Sequence, residues 1–289
     1  MTDLQSELPS VAIITLNWNN YEDTAACLRS LQEVEYSNFE VFVVDNGSED
    51  DSLSKLKSDF PEIAYIESET NRGFAAGNNL AIKRAIEENF DYVLLLNNDT
   101  VVSKNFLTPL VLVAENEPNV GIVGGIIKEF DSEKIWYGGA QFFSHVARAK
   151  HSRNIQKNIP YSTGYITGAL MLISASVIDD IGYLDDSYFF GMEDVEYSHR
   201  AKRKGWEIRV VPSSQIQHKV SGTAGQDSPF WIENRTKNRF HYAQTYLHPL
   251  SRIIFYSAFT VETIAKLIFW TIRGDEPVAK CKSILRGIL

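Results

Sequence analysis

The chain has 289 residues, of which 44% are apolar, enough for one large domain of about 200 to 250 residues and an appendage. Its formal charge of −9 excludes a general nucleic-acid binder, because phosphate backbones reward basic surfaces. The charge is uneven: from Glu233 onward nine Lys and Arg face four Asp and Glu, which leaves −14 on the first 232 residues. A basic tail with its own partner is expected. Cys27 and Cys281 are too few and too far apart for a disulfide framework or a thiolate metal site, which points to a reducing compartment. The opening MTDLQSELPS lacks a basic region and an apolar run, so no signal peptide is expected and the protein belongs in the cytoplasm.

In chain order, β-branched and aromatic runs end in polar or turn residues at VAIITLNWNN from Val11, FEVFVVDNGS from Phe39, IAYIESETN from Ile63 and YVLLLNNDT from Tyr92. Helical patterns separate them, at Thr24 to Leu31, Ser52 to Phe60 and Ala75 to Asn89. The alternation predicts βαβ units and a mostly parallel sheet flanked by helices. The second half adds a glycine-loosened strand from Val120, a strand leading into a short helix ended by Gly182, a helix after FFGM stopped at Gly205, and the strand EIRVVP. Residues 220–229, VSGTAGQDSP, have loop composition and mark the expected boundary between a domain of residues 1–225 and a helical segment of residues 226–289.

In α/β sheets ligands bind beyond the carboxyl ends of the strands. Thr15, Asn17, Asp45, Asn97, Asn98 and Asp99 are expected on that rim. Asp45 can accept hydrogen bonds from a pyrimidine N–H or a ribose hydroxyl, while the neighbouring Asn-Gly makes a tight turn and Ser48 to Asp51 suit a helix cap. In NRGFAAGNN the spacing G-x-x-x-G fails as a dinucleotide fingerprint. Either the glycines serve tight helix–sheet packing, or Arg72 and the helix N-terminus face phosphate with Asn78 held inward. Asp99 offers one hard oxygen ligand to a divalent cation whose other ligands are phosphates, with Asn97 and Asn98 able to reach ribose. His218 is a candidate to complete that site, which would favour Mn over Mg somewhat. Glu196 is placed to pair with Arg200 on its helix. Glu193 and Asp194 follow an aromatic approach whose desolvation would raise a carboxyl toward the range of a general base.

The ordered series TLNWN, VDNGS, NRGFAAGNN, LLLNNDT, YITGALMLI and FFGMEDVEYSHRAKRKGW, over about residues 10 to 222, resembles the family 2 inverting glycosyltransferases, near the bacterial rhamnosyltransferase-like group. The resemblance implies a GT-A fold, a nucleotide-sugar donor such as a dTDP- or UDP-sugar, and a divalent cation, Mn or Mg. It implies nucleoside binding by Thr15, Asn17 and Asp45, bordered by Arg72 and Asn78, with Asn98 beside them. It places the cation on Asp99 and His218, the base at Asp194 with Glu193 supporting, and the sugar pocket at Gly168 and Ala169. Asn97 departs from the family's usual Asp, leaving one carboxylate. The implied acceptor is a glycan or lipid-linked saccharide in cell-surface polysaccharide synthesis.

The alternatives are a sugar-phosphate nucleotidyltransferase, disfavoured because TLNWNNYED contains no glycine and is acidic, and a non-catalytic nucleotide-sugar-binding partner subunit. In residues 250–273 the charged Arg252, Glu262, Lys266 and Arg273 fall within an arc of roughly 80°. That pattern predicts an amphipathic helix lying on a membrane or packing on protein, rather than a span, and adds the inner face of the plasma membrane to the expected location.

Overall fold

The computed structural model describes residues 8–219 and 228–288. The expected boundary loop therefore lies outside the described residues, except for Ser228 and Pro229, which begin a helix.

The first strand, β1 (Val11–Asn17), is buried on both faces because helices cover both. Helix α1 (Tyr21–Leu31) begins three residues earlier than its apolar pattern, since the Asn20 side chain caps the Asp23 N–H. β2 (Phe39–Asp45), α2 (Ser52–Asp59), β3 (Ala64–Glu67), α3 (Gly73–Glu87) and β4 (Tyr92–Leu96) follow as the alternation requires. A short β5 (Thr100–Val102) and α4 (Leu107–Asn116) lead to the long β6 (Val120–Glu129). The chain then makes a β excursion, β7 (Ile135–Tyr137), β8 (Ala140–Phe143), β9 (Arg148–His151) and β10 (Tyr161–Ser162), before β11 (Leu170–Ser174) and α5 (Ala175–Ile181). α6 (Glu193–Arg203) and β12 (Glu207–His218) complete the sheet, and α7 (Pro229–Tyr246), α8 (Pro249–Arg273) and α9 (Pro277–Ile288) form the C-terminal segment.

Among the described residues one sheet runs β10-β12-β6-β11-β4-β1-β2-β3, with β5 on β12 and β7 on β6. The strands β3, β2, β1 and β4 are parallel as expected. Beyond β4 the sheet is mixed: β11 lies antiparallel between β4 and β6. The reason is the connection. Between β6 and β11 the chain folds as strands instead of a crossover helix, so it re-enters the sheet from the opposite end.

This reversal builds the site. The carboxyl ends of β1, β2 and β4 and the amino end of β11 share one rim, with Leu170 paired to Leu96. β12 continues past its expected end at Pro212 until His218 pairs with Thr100 of β5, beside Asp99.

Two apolar cores result. The larger gathers residues between Val11 and Ile216, and the smaller joins Ala147 to side chains of α7, α8 and α9. Three of the four charges of the α8 stripe turn toward the protein, while Arg273 stays exposed. Glu262 meets Arg239 at 3.0 Å and Lys266 at 3.0 Å, and the Arg252 guanidinium donates to the Leu247 and Gln244 carbonyls. The opposite face, with Leu250, Ile253, Val261, Ile264, Ile268 and Ile272, is exposed. α8 is the one helix among the described residues long and apolar enough to cross a membrane by length and composition.

Gly73 starts α3 at φ +79°, where a Cβ would lie 2.3 Å from the Phe189 carbonyl oxygen. Gly73→Ala should therefore cost at least about 2 kcal/mol, combining left-handed strain with overlap. Gly205 has a similar φ of +99° but open space around it, so Gly205→Ala should cost about 1 kcal/mol. Denaturant melts of the two variants check the difference.

Candidate active site

Where β1, β2 and β4 end, Asn17 is fully buried and acts as an organiser. Its amide donates to Asp45 Oδ1 at 2.9 Å and to Ser52 Oγ at 3.1 Å, and its oxygen accepts from Thr24 Oγ1 at 2.8 Å. Asn98 donates to Thr24 Oγ1 at 2.8 Å, so the ends of β1, β2 and β4 form one network. Ser48 N–H donates to Asp45 Oδ2 at 3.0 Å, which leaves this carboxylate anchored at the strand end with lone pairs to spare.

The structure places Thr15 and Asn78 beneath the rim. Thr15 lies inside β1, wholly buried, with its hydroxyl unpartnered. The Asn78 amide donates to the Phe74 carbonyl one turn back. Arg72 is exposed, but the expectation that the α3 N-terminus faces phosphate is corrected. The N–H groups of Arg72, Gly73 and Phe74 donate to Asn46 Oδ1, Asn71 Oδ1 and the Phe189 carbonyl, so they are already spent within the protein. The packing role of the second glycine holds: a Cβ at Gly77 would lie 2.8 Å from Leu16.

At the end of β4, His218 Nε2 approaches Asp99 Oδ1 at 2.7 Å and Asn97 Nδ2 at 3.4 Å. The imidazole is fixed edge-on against Trp136, ring centroids 4.8 Å apart. No group of three or more His, Cys, Asp or Glu side chains gathers for a metal among the described residues. The pair nevertheless suits a cation that takes most of its ligands from a diphosphate, since a carboxylate oxygen and an imidazole nitrogen converge while the other imidazole nitrogen is buried and orphaned.

The second acidic feature lies in an open cleft of about 520 Å³ lined by Asn97, Trp136, His151, Tyr165, Thr167 to Ala169, Phe190 to Val195 and part of α7. Asp194 accepts from the Gly168 N–H at 3.0 Å and from its neighbour Val195 at 2.7 Å. Gly168 has no room for a side chain, because a Cβ there would press on the Phe74 ring at 3.0 Å. Glu193 is buried with Oε2 unpartnered. Burial pushes both carboxyls upward; the Asp194 charge pushes Glu193 further, while hydrogen bonds from Gly168, Val195 and Thr167 restrain Asp194. Burial thus favours the protonated form of both carboxyls, and the Asp194 charge adds to that effect on Glu193. Glu196 does what its spacing predicts, pairing with Arg200 at 3.0 Å.

Sequence reasoning missed the aromatic and basic walls of this cleft. Trp136, His151 and Tyr165 come from the β excursion, and burial holds His151 down to about 4, with Arg153 and His218 adding to the effect. Trp231, Arg235 and Arg239 come from α7, and their i, i+4, i+8 spacing was the signal that could have found them.

Residues 10–182 match the family model described as glycosyl transferase family 2. The chain belongs to that family. It is 29% identical over 209 residues to the low-salt glycan biosynthesis hexosyltransferase Agl10 of Haloferax volcanii, a stretch covering 71% of this chain and 65% of that protein. It is 25% identical over 256 residues to the N-acetylglucosaminyl-diphospho-decaprenol L-rhamnosyltransferase of Mycobacterium tuberculosis, covering 78% and 80%. Among solved structures, GalNAc-T7 with UDP, GalNAc and Mn2+ superposes with TM-score 0.68 at 17% identity, over 87% of this chain and 50% of that one. The Pyrobaculum calidifontis mannosyltransferase PcManGT with GDP-Man and Mn2+ gives 0.60 at 15%, over 97% and 88%. The fold is GT-A, an α/β architecture with a central sheet and a C-terminal helical region.

Because Glu193 binds its proton more tightly folded than unfolded, its ionisation costs stability as the pH rises above the ordinary carboxyl range. Glu193→Gln should therefore raise Tm at pH 8 to 9, with the gain shrinking toward pH 5. Thermal melts across that range check the sign.

Proposed function

We propose that this protein is an inverting glycosyltransferase that moves a hexose, rhamnose being the first candidate, from a dTDP- or UDP-sugar to a hydroxyl of a glycan or lipid-linked acceptor in cell-surface polysaccharide synthesis. The observation that carries the reading is the backbone-anchored Asp194 in a cleft that also reaches Asn97, next to the Asp99–His218 pair.

Asp45, Asn98 and Arg72 face the nucleoside, with Thr15, Asn17 and Asn78 behind them. Gly168 and Ala169, just before β11, line the cleft with small side chains that leave space for the sugar. A divalent cation held by Asp99 and His218 would supply positive charge to the diphosphate oxygens, and the imidazole ligand favours Mn. Asp194 accepts the proton of the acceptor hydroxyl as that oxygen bonds to the anomeric carbon and the carbon–oxygen bond to the diphosphate breaks. Attack from the face opposite the leaving group inverts the centre. Glu193, neutral beside it, keeps a second charge out of the pocket.

Two variants test these roles. Asp194→Asn keeps the shape and removes the base, so transfer should fall by at least about a hundredfold while donor binding stays. Asp99→Ala should abolish the Mn-dependent part of donor binding. Turnover in Asp194→Asn equal to the unmodified enzyme would remove Asp194 from the mechanism. A thermal-shift screen of nucleoside diphosphates with and without Mn identifies the base, because only a ligand of the folded state raises Tm.

The residues divide into a catalytic domain, 1–225, and a helical segment, 226–289, and the segment seats the enzyme on the inner face of a membrane. An exposed row of isoleucines on a helix that turns Arg252, Glu262 and Lys266 toward the protein is the reverse of an ordinary surface helix, and it supports burial among lipid chains. Ile264→Asp combined with Ile268→Asp should move the protein from the vesicle-bound to the free fraction in flotation with anionic vesicles. Equal flotation of both forms would count against the membrane seat.

A further inference from the structure

The turn that delivers Glu193 and Asp194 to the cleft is one the chain does not adopt unaided. Gly191 and Met192, directly before α6, both lie in the left-handed region, at φ +83° and +74°, and for a methionine that conformation persists only where the surroundings impose it. No side chain caps the helix start at Met192. The hold comes from outside the loop. The Phe189 carbonyl accepts from the Phe74 N–H of α3 at 2.9 Å. The next two carbonyls, of Phe190 and Gly191, both accept from the Asn238 amide of α7, at 3.0 Å for Phe190. α7 also grips the chain on either side of the acidic pair: His241 Nε2 lies 3.3 Å from Asp185 Oδ2, its ring meets Tyr188 edge-on with centroids 5.0 Å apart, and the Tyr246 hydroxyl donates to Glu196.

Asn238 is 1% exposed and does not line the cleft, and its own side-chain oxygen has no partner. Two hydrogen bonds made and one buried acceptor left unsatisfied roughly cancel in stability, so what the amide contributes is the position of two carbonyls. We propose that Asn238 is a positioning residue for the transfer: by holding the Phe190 and Gly191 carbonyls it fixes the left-handed turn at Gly191 and Met192, and with it the direction in which Asp194 enters the cleft. The C-terminal helical segment then completes the active site. The inference rests on the reading of Asp194 as the base.

The test compares Asn238→Ala, which leaves a small space, with Asn238→Leu, which fills it; both remove the two donors, so an effect they share belongs to the hydrogen bonds. Turnover of dTDP-rhamnose or a UDP-hexose with Mn is read as nucleoside diphosphate released to water, which takes the place of the acceptor hydroxyl. In both variants kcat should fall at least about tenfold, the scale of a displaced reacting group, with donor KM within about twofold. Nucleoside diphosphate binding with Mn should be unchanged. Ile284→Ala, in the smaller apolar core, sets the effect of destabilisation alone and should lower Tm with kcat kept. In an Asp194→Asn background the Asn238 substitutions should cost nothing further, because a residue that acts through Asp194 has nothing left to position. Unchanged kcat in either folded variant overturns the inference, as does a loss that adds in full to that of Asp194→Asn. A kcat loss matched by Ile284→Ala makes the role structural and overturns it too. Turnover in Asp194→Asn equal to the unmodified enzyme strikes the base assignment itself, and the inference with it.

Discussion

Two carboxyl groups brought into one partly desolvated place cannot both carry charge cheaply, so the surroundings decide which of them ionises. Here the surroundings are largely backbone donors. The Gly168 and Val195 N–H groups donate to Asp194, while Glu193 has backbone donors at residues 191 and 193 and keeps one oxygen unpartnered. The two backbone N–H groups fix the orientation of the Asp194 carboxyl. That orientation depends in turn on β11 running antiparallel beside β4, since only then does residue 168 sit at the rim where α6 begins.

The same strand reversal ties the two halves of the site together. A wholly parallel sheet would have put a helix N-terminus after each strand on this rim, ready for phosphate. In this chain the N–H groups of Arg72, Gly73 and Phe74 at the start of α3 are taken by Asn46, Asn71 and Phe189, and the rim presents side chains instead, Asp45 at the end of β2 and the Asp99–His218 pair beyond β4. His218 reaches its place because β12 runs on beyond the expected strand, with a bulge between Val211 and Gln215 that re-aims it toward β5.

Much of this was legible in the sequence. The buried runs ending in Asn17, Asp45 and Asn97 to Asp99 identify strands by composition, and the structure brings their polar ends together on one rim. Glu196 with Arg200 followed from helical spacing alone. What escaped was non-local. Nothing near Gly168 announces that its N–H serves Asp194, 26 residues on. The inward turn of the α8 charges was hidden because a charged stripe reads the same whether it faces solvent or the arginines of α7. The mixed character of the sheet was hidden too, since the excursion from β7 to β10 consists of short strands with weak periodicity.

The account stands on a single displacement, with Asp194 on one side of the sugar and the departing diphosphate on the other. Proton NMR of the first product formed, read before any anomeric equilibration, reports which face was attacked. The account predicts that the new glycosidic bond has the opposite anomeric configuration to the donor; a product that retains the donor's configuration would contradict it.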